Sequence, residues 1–171
     1  IRDWAFFDFI GRPFIEPSYK NSLLESLSKK YKILNLYIIR HPLRLLESCC
    51  NKWIFFRRDN NFIYLIKGYK NYFLNASAGN ICVFENFIGE PEKNLSKMCD
   101  ILEIDYDNNY SDKLKDVNLT GDSTAKKSLE IHNKDSLSKK KLIKEEELNK
   151  IKNHPDFIEL MQDLKSYYQN V

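Results

Sequence analysis

A strand-like segment that stops at an arginine, KILNLYIIR in residues 32–40, places the strongest limit on how this chain folds. Five of the seven residues from Ile33 to Ile39 are large and apolar, and they do not alternate cleanly with polar residues. This pattern predicts a strand covered on both faces, as in the parallel sheets of α/β proteins. Pro42 follows the arginine by two positions and suits the first position of a helix, which we expect to run to about Arg58. The segment therefore predicts a strand that leads directly into a helix.

The rest of the chain predicts further helices and one more strand. The predicted elements are a helix over about 19–31 capped by Ser18, a helix over 61–76, a buried strand from Asn80 to Glu85, a helix that begins at Pro91, and two tail helices separated at His154–Pro155. Residues 103–137 are polar. No internal repeat or long linker occurs, so we expect residues 1–171 to form a single α/β domain with a helical C-terminus.

The composition limits the classes of function that the chain can have. Hydrophobic residues make up 43% of the chain and charged residues 30%, which is typical of a globular domain. A net charge of +3 is too small to predict a nucleic-acid partner and is compatible with a small anionic ligand. No apolar stretch reaches the roughly 20 residues that a membrane span requires, so no membrane span is expected.

The four cysteines favour a reducing compartment. They are Cys49, Cys50, Cys82 and Cys99. No two of them have the CxxC spacing of a zinc site, and all four lie in apolar surroundings. We therefore predict buried, reduced thiols and a cytoplasmic protein without a metal. His132 and His154 also lack the spacing of metal ligands.

The arginine after the first strand is a candidate anion-binding residue. Ligands of open α/β sheets lie beyond the carboxyl ends of the strands, where Arg40 is expected. The helix that begins at Pro42 points its free N–H groups and its positive dipole end at the same place. Ser48 adds a hydroxyl if its face of the helix is turned inward. Together these groups predict a phosphate pocket. In the alternative interpretation, Arg40 pairs with a surface acid and Ser48 is an ordinary helix residue.

The segment YIIRHPLRLLES resembles the 3′-phosphate-binding motif of PAPS-dependent sulfotransferases (PAPS is 3′-phosphoadenosine 5′-phosphosulfate). In that family a strand ends in Arg-x-Pro and a serine lies eight positions after the arginine, which Arg40, Pro42 and Ser48 match. The segment ICVFENFIGEPEKNLSKMCDILEIDYD is similar to a later block of the family, and LTGDSTAKKSLEI resembles a Gly-Asp-Ser segment of some bacterial members. The matched positions of the later block are Phe84, Glu85, Pro91 and Leu102. The resemblance covers about residues 30–130.

The resemblance implies a fold, an activity and a set of binding residues. The fold is a three-layer, parallel-sheet domain of the P-loop-NTPase-like sulfotransferase type. The activity is transfer of a sulfuryl group from PAPS, as co-substrate, to a hydroxyl or amine of a small-molecule or carbohydrate acceptor, without a metal. Arg40 and Ser48 would hold the 3′-phosphate, and Lys126 and Lys127 would complete its pocket.

Two parts of the family pattern are missing from the chain. No Gly-rich loop with Lys followed by Ser or Thr occurs, and FIGRPF is too short and lacks the lysine. We therefore expect the loop that binds the 5′-phosphosulfate ahead of Ile1, with this chain as the C-terminal portion of the fold. No histidine precedes His41, which leaves Glu16 as a weak candidate base unless the base also lies upstream. There are two alternative functions. The chain is either a non-catalytic α/β module that binds an anion or a partner, or another P-loop-type nucleotide enzyme.

Overall fold

A computed structural model describes residues 6–57, 61–76, 80–113 and 143–168. Its strands are β1 (Tyr37–Ile39) and β2 (Ile81–Val83). Its helices are α1 (Phe6–Phe9), α2 (Ser22–Ser28), α3 (Pro42–Lys52), a 3₁₀ helix (Ile54–Arg57), α4 (Phe62–Asn75), α5 (Phe84–Gly89), α6 (Pro91–Ile101), α7 (Tyr110–Lys113), α8 (Glu145–Lys152), α9 (Pro155–Asp163) and α10 (Lys165–Tyr168). The protein is therefore a mixed α/β protein in which helices predominate.

The two strands form a parallel pair. Tyr37 lies opposite Ile81, and Ile39 lies opposite Val83. The connection between them contains α3, the 3₁₀ helix and α4, as a parallel crossover requires. Since parallel strands end at the same edge, Arg40 and Phe84 are the first residues beyond it. The predicted parallel arrangement is confirmed for these two strands.

Strand β1 is shorter than predicted and is covered on one face. It comprises Tyr37–Ile39 rather than Ile33–Ile39. The side chain of Ile39 is 0% exposed, whereas that of Ile38 is 52% exposed. Successive side chains of a strand point to opposite faces, so Ile38 lies on a face that the described residues leave open to solvent. The prediction of a strand covered on both faces is wrong for β1.

Two tyrosines of α4 form hydrogen bonds with backbone groups on the outer edge of β1 and just beyond it. The Tyr37 N–H donates to the Asn80 carbonyl at 2.7 Å, so the backbone groups of Ile38 and Arg40 point away from β2. The Tyr72 hydroxyl donates to the Ile38 carbonyl at 3.4 Å. The Tyr69 hydroxyl accepts from the Arg40 N–H at 2.8 Å and donates to the Arg40 carbonyl at 2.6 Å. Side-chain hydroxyls thus satisfy three of the four outward-pointing polar groups of Ile38 and Arg40, and the Ile38 N–H has no partner among the described residues.

The core has two parts, one along the first half of α4 and one along its second half. The first lies between α3, the 3₁₀ helix, α4 and the helices of the C-terminal segment, and includes Leu46, Phe56 and Leu65. The second lies against the buried face of the sheet and includes Ile39 and Leu160. This second part places α9 and α10 next to the residues that follow β1.

Several predicted boundaries are corrected. Helix α2 begins at Ser22 and not near residue 19, because the side chain of Asn21, and not Ser18, caps it by accepting from the Leu24 N–H at 2.9 Å. Helix α3 ends at Lys52 rather than at about Arg58, since Trp53 adopts an extended conformation. Helix α5 occupies a stretch for which no helix was predicted. The two predicted tail helices are confirmed, and α10 follows them.

In the described part of the chain, no helix is long and apolar enough to cross a membrane.

Candidate functional site

The candidate site lies where β1 ends and α3 begins. Arg40 is the first residue after β1, and the Tyr69 hydroxyl holds both of its backbone polar groups. Tyr69 is only 6% exposed, and burial raises the pKa of its hydroxyl. The hydroxyl therefore stays protonated and fixes the direction in which the arginine side chain leaves the strand.

The guanidinium of Arg40 contacts an aromatic ring and forms no ion pair with the described residues. Its central carbon lies 4.9 Å from the ring centroid of Phe84, in a cation–π contact. Its Nε atom is buried and has no hydrogen-bond partner among the residues that the structure describes. No carboxylate within these residues forms an ion pair with it. The alternative interpretation predicted an ion pair between Arg40 and a surface acid. No such ion pair is observed among the described residues.

The start of α3 offers fewer free N–H groups than a typical helix. His41 is its N-cap, and the His41 Nδ1 atom accepts from the Leu43 N–H at 3.3 Å. Pro42 has no N–H to offer. Of the first turn, only the Arg44 N–H is left without an acceptor in the described part of the chain. The helix end therefore contributes one directed donor and its dipole rather than several donors.

Glu85 joins the start of α3 to the C-terminal helix. The His41 N–H donates to Glu85 Oε1 at 3.0 Å, and the Tyr168 hydroxyl donates to Glu85 Oε2 at 3.4 Å. The rings of His41 and Tyr168 meet edge to face, with centroids 5.5 Å apart. These contacts give Glu85 a structural role, and they place Tyr168 of α10 beside the start of α3.

Burial sets the protonation of the groups around Glu85. The pKa of His41 is lowered by burial, and the nearby Glu85 carboxylate only partly opposes this. Since His41 Nδ1 accepts a hydrogen bond, the neutral ring carries its proton on Nε2. The pKa of Tyr168 is raised, mainly by burial, so this hydroxyl is also neutral. His41 and Tyr168 are therefore neutral at neutral pH, and the cations near this cluster are Arg40 and Arg44.

Ser48 lies on the second turn of α3, one residue before Cys49. It is half-buried, and its hydroxyl has no hydrogen bond within the described residues. Burial raises the pKa of the adjacent Cys49 to about 12, while the charge of Arg40 acts in the opposite direction. The arginine side chain is therefore near enough to this part of α3 to affect the thiol electrostatically. Such a pKa keeps the Cys49 thiol protonated at neutral pH.

Of the other predicted site residues, only Glu16 lies within the described part of the chain. Glu16 forms an ion pair with Arg12, and its side chain is 73% exposed. Lys126 and Lys127 lie outside the described residues. The candidate base and the candidate lysines therefore remain predictions from the sequence.

The cysteines and histidines form no recognisable metal centre in the described residues. All four cysteines are free thiols; three are buried, and Cys49 is half-buried. His154 caps α9 through its Nδ1 atom, which accepts from the Asp156 N–H at 3.3 Å. Within the described ranges, no three His, Cys, Asp or Glu side chains are grouped in a way that suits a metal ion. His132 lies outside those ranges.

Comparison of the chain with protein-family models, with curated proteins and with solved structures finds no match.

Sequence reasoning missed Tyr69 and Tyr168 as parts of this site. Tyr69 is 29 positions from Arg40, and Tyr168 is 83 positions from Glu85. No local pattern links residues at such separations. A tyrosine on the buried face of a helix could indicate a hydroxyl that bonds to a strand edge. This signal is weak here, because α4 contains three tyrosines and the sequence does not show which one makes the contact.

Proposed function

We propose that this chain binds the 3′-phosphate of an adenosine nucleotide at Arg40, as a sulfotransferase of the PAPS-dependent type. The observation that carries the proposal is that Arg40 forms no ion pair with the described residues and that its buried Nε atom has no hydrogen-bond partner among them. The buried Nε atom of Arg12 also lacks a partner, but the Arg12 guanidinium pairs with Glu16. A buried donor without a partner is costly, and a ligand at Arg40 would remove that cost. The motif resemblance identifies that ligand as a 3′-phosphate.

The chemistry of the surrounding groups fits a phosphate. A guanidinium donates two parallel hydrogen bonds to phosphate oxygens, and the contact with Phe84 holds its plane in place. The Arg44 N–H and the positive end of α3 add to the favourable field. The Ser48 hydroxyl has no hydrogen bond to the described part of the protein and supplies a further donor.

In this proposal the described residues bind and orient the nucleotide. PAPS supplies the sulfuryl group, and the acceptor is a small molecule or a carbohydrate. Sulfuryl transfer, like phosphoryl transfer, depends on cations positioned near the oxygens that gain charge. Arg40 and Ser48 anchor the 3′-phosphate, which fixes the position of the phosphosulfate. The P-loop-NTPase-like fold belongs to this proposal, and so does a cytoplasmic location, which the four free thiols favour.

Calorimetric titration tests the proposal. Wild-type protein is titrated with adenosine 3′,5′-bisphosphate and with ATP, and a preference for the bisphosphate is expected. Arg40→Ala should lose about 1.5–3 kcal/mol of the bisphosphate binding energy, because a charge-assisted hydrogen-bonded contact is removed. Ser48→Ala should weaken binding less. Arg44→Ala is the matched control, because its exposed side chain pairs with Glu47 at 3.3 Å and its backbone N–H is kept. Equal affinity for ATP, or an Arg40→Ala variant that binds like wild type, contradicts the proposal.

A further inference from the structure

A cavity of about 280 Å³ runs along the edge of β2 that faces away from β1. All three β2 residues line it, together with residues of α5, α6 and α10. It does not include Arg40, so it is separate from the candidate phosphate site. Its volume is close to the lower end of the range for ligand pockets, about 300–1,000 Å³.

The backbone of β2 presents hydrogen-bonding groups to this cavity. Because the Tyr37 N–H bonds to Asn80 across the parallel pair, the polar groups of Cys82 point toward β1. The polar groups of Ile81 and Val83 then point the other way, toward the cavity. The Val83 carbonyl accepts from the Cys82 thiol at 3.8 Å. This leaves both polar groups of Ile81 and the N–H of Val83 without a partner among the described residues.

The two edges of the sheet differ in this respect. On the outer edge of β1, the hydroxyls of Tyr69 and Tyr72 bond to three of the four outward-pointing polar groups of Ile38 and Arg40. On the outer edge of β2, the Cys82 thiol donates to the Val83 carbonyl, and within the described residues no side chain bonds to Ile81 or to the Val83 N–H. An unpaired strand edge binds an extended polypeptide by adding a strand, since main-chain hydrogen bonds provide the affinity.

The walls of the cavity indicate which side chains such a segment carries. Its lining includes one charged residue, Lys97 of α6, and no Asp or Glu. Lys97 forms no ion pair with the described residues, and its charge acts on the Cys82 thiol, whose pKa burial raises. Met98 and Ile101 add apolar side chains to the same wall, and Tyr167 lies on the opposite wall, whereas Asn86, Asn94 and Ser166 add polar ones. The groove thus combines a cation, a mixed polar and apolar lining, and a strand edge.

We propose that the edge of β2 binds an extended peptide segment of a partner protein as an added strand, with an acidic side chain of that segment paired to Lys97. This site is independent of the nucleotide site proposed at Arg40. The side chains of the added strand alternate between the α6 wall and the α10 wall. Acidic residues face Lys97, and apolar residues face Tyr167.

The test uses the full chain and the peptide acetyl-Val-Glu-Val-Glu-Val-amide. Backbone amide signals are followed by ¹H–¹⁵N NMR during the titration. The Ile81 and Val83 amides are expected to shift in a saturable way. A peptide with the same side chains but N-methylated at alternate residues should bind at least tenfold more weakly, because it cannot make the main-chain bonds. Lys97→Ala should weaken binding several-fold, whereas the control Lys93→Ala should not, since Lys93 is exposed and pairs with Glu90 at 2.8 Å.

Three results overturn the proposal. The first is the absence of saturable shifts at Ile81 and Val83. The second is equal binding of the N-methylated peptide, or of acetyl-Val-Lys-Val-Lys-Val-amide. The third is a shift of the same amides with protein concentration alone, which would make a second copy of the chain the occupant. Titration of the same sample with adenosine 3′,5′-bisphosphate reports separately on Arg40, so failure of one site is distinguishable from failure of the other.

Discussion

The Tyr69 hydroxyl holds Arg40 by both of its backbone polar groups, accepting from the N–H at 2.8 Å and donating to the carbonyl at 2.6 Å. A single side chain of α4 therefore binds the backbone just beyond β1 and fixes the position of Arg40, whose guanidinium is the candidate phosphate ligand. The position of the candidate phosphate ligand depends on this contact as much as on the strand itself.

Removing the Tyr69 hydroxyl is expected to destabilise the protein. Tyr69→Phe leaves two partly buried backbone groups of Arg40 without their partner, which costs about 1–3 kcal/mol of the free energy of unfolding. Urea denaturation measures the change. Tyr64→Phe is the control, because Tyr64 lies on the same helix and is 39% exposed. Similar midpoints for Tyr69→Phe and wild type would show that this contact does not hold Arg40.

The His41 side chain makes stability depend on pH in the acidic range. Its pKa in the folded protein is lowered below the ordinary value of 6.5, chiefly by burial. The unfolded chain therefore takes up a proton first as pH falls, and the free energy of unfolding decreases below about pH 6.5. His41→Asn keeps an N-cap acceptor and should reduce this slope. His154→Asn, at the other His-Pro N-cap, controls for loss of a histidine. An unchanged slope in His41→Asn contradicts the assignment.

Neighbouring isoleucines of β1 should respond differently to the same substitution. Ile39 is 0% exposed, so Ile39→Thr places a hydroxyl in the core and loses buried apolar surface. We expect a cost of at least about 2 kcal/mol. Ile38 is 52% exposed, and Ile38→Thr keeps the β-branched shape, so its cost should stay within about 0.5 kcal/mol. Thermal or urea unfolding of both variants tests the one-sided burial of the strand; equal costs would refute it.

The contact between α1 and α4 requires a glycine. A Cβ atom at Gly68 would clash with the Phe9 carbonyl oxygen and lie 2.9 Å from Ile10 Cγ1. Gly68→Ala should therefore destabilise the protein by about 1–3 kcal/mol, in spite of the better helix propensity of alanine. At Gly89 a Cβ atom would meet nothing within 4 Å, which makes Gly89→Ala the matched control. A Gly68→Ala variant as stable as the control would mean that α1 does not pack against α4 in this way.

The local order of strand, arginine and helix could be predicted from the sequence. The apolar run that ends at Arg40 and the proline two residues later specify β1 and the start of α3. Proline-marked helix starts at Pro91 and Pro155 were also predictable, because proline suits the first position of a helix.

The contacts that complete the site could not be predicted in the same way. Glu85 bonds to His41 across 44 positions, and that pairing exists only because the two parallel strands end at one edge. Likewise, the exposure of Ile38 depends on which helices pack on each face of the sheet, and the apolar composition of the strand does not reveal it. The end of α3 at Lys52 could not be predicted either. The segment WIFF continues the apolar pattern of the helix, although the backbone becomes extended at Trp53.

The most direct test of the account compares two ligands that differ by one phosphate. Adenosine 3′,5′-bisphosphate and adenosine 5′-monophosphate are titrated against wild type and Arg40→Ala in a thermodynamic cycle. If Arg40 binds the 3′-phosphate, wild type prefers the bisphosphate by at least about tenfold, and Arg40→Ala binds both ligands with similar affinity. A preference that survives in Arg40→Ala, or an equal loss of affinity for both ligands, would contradict the central claim.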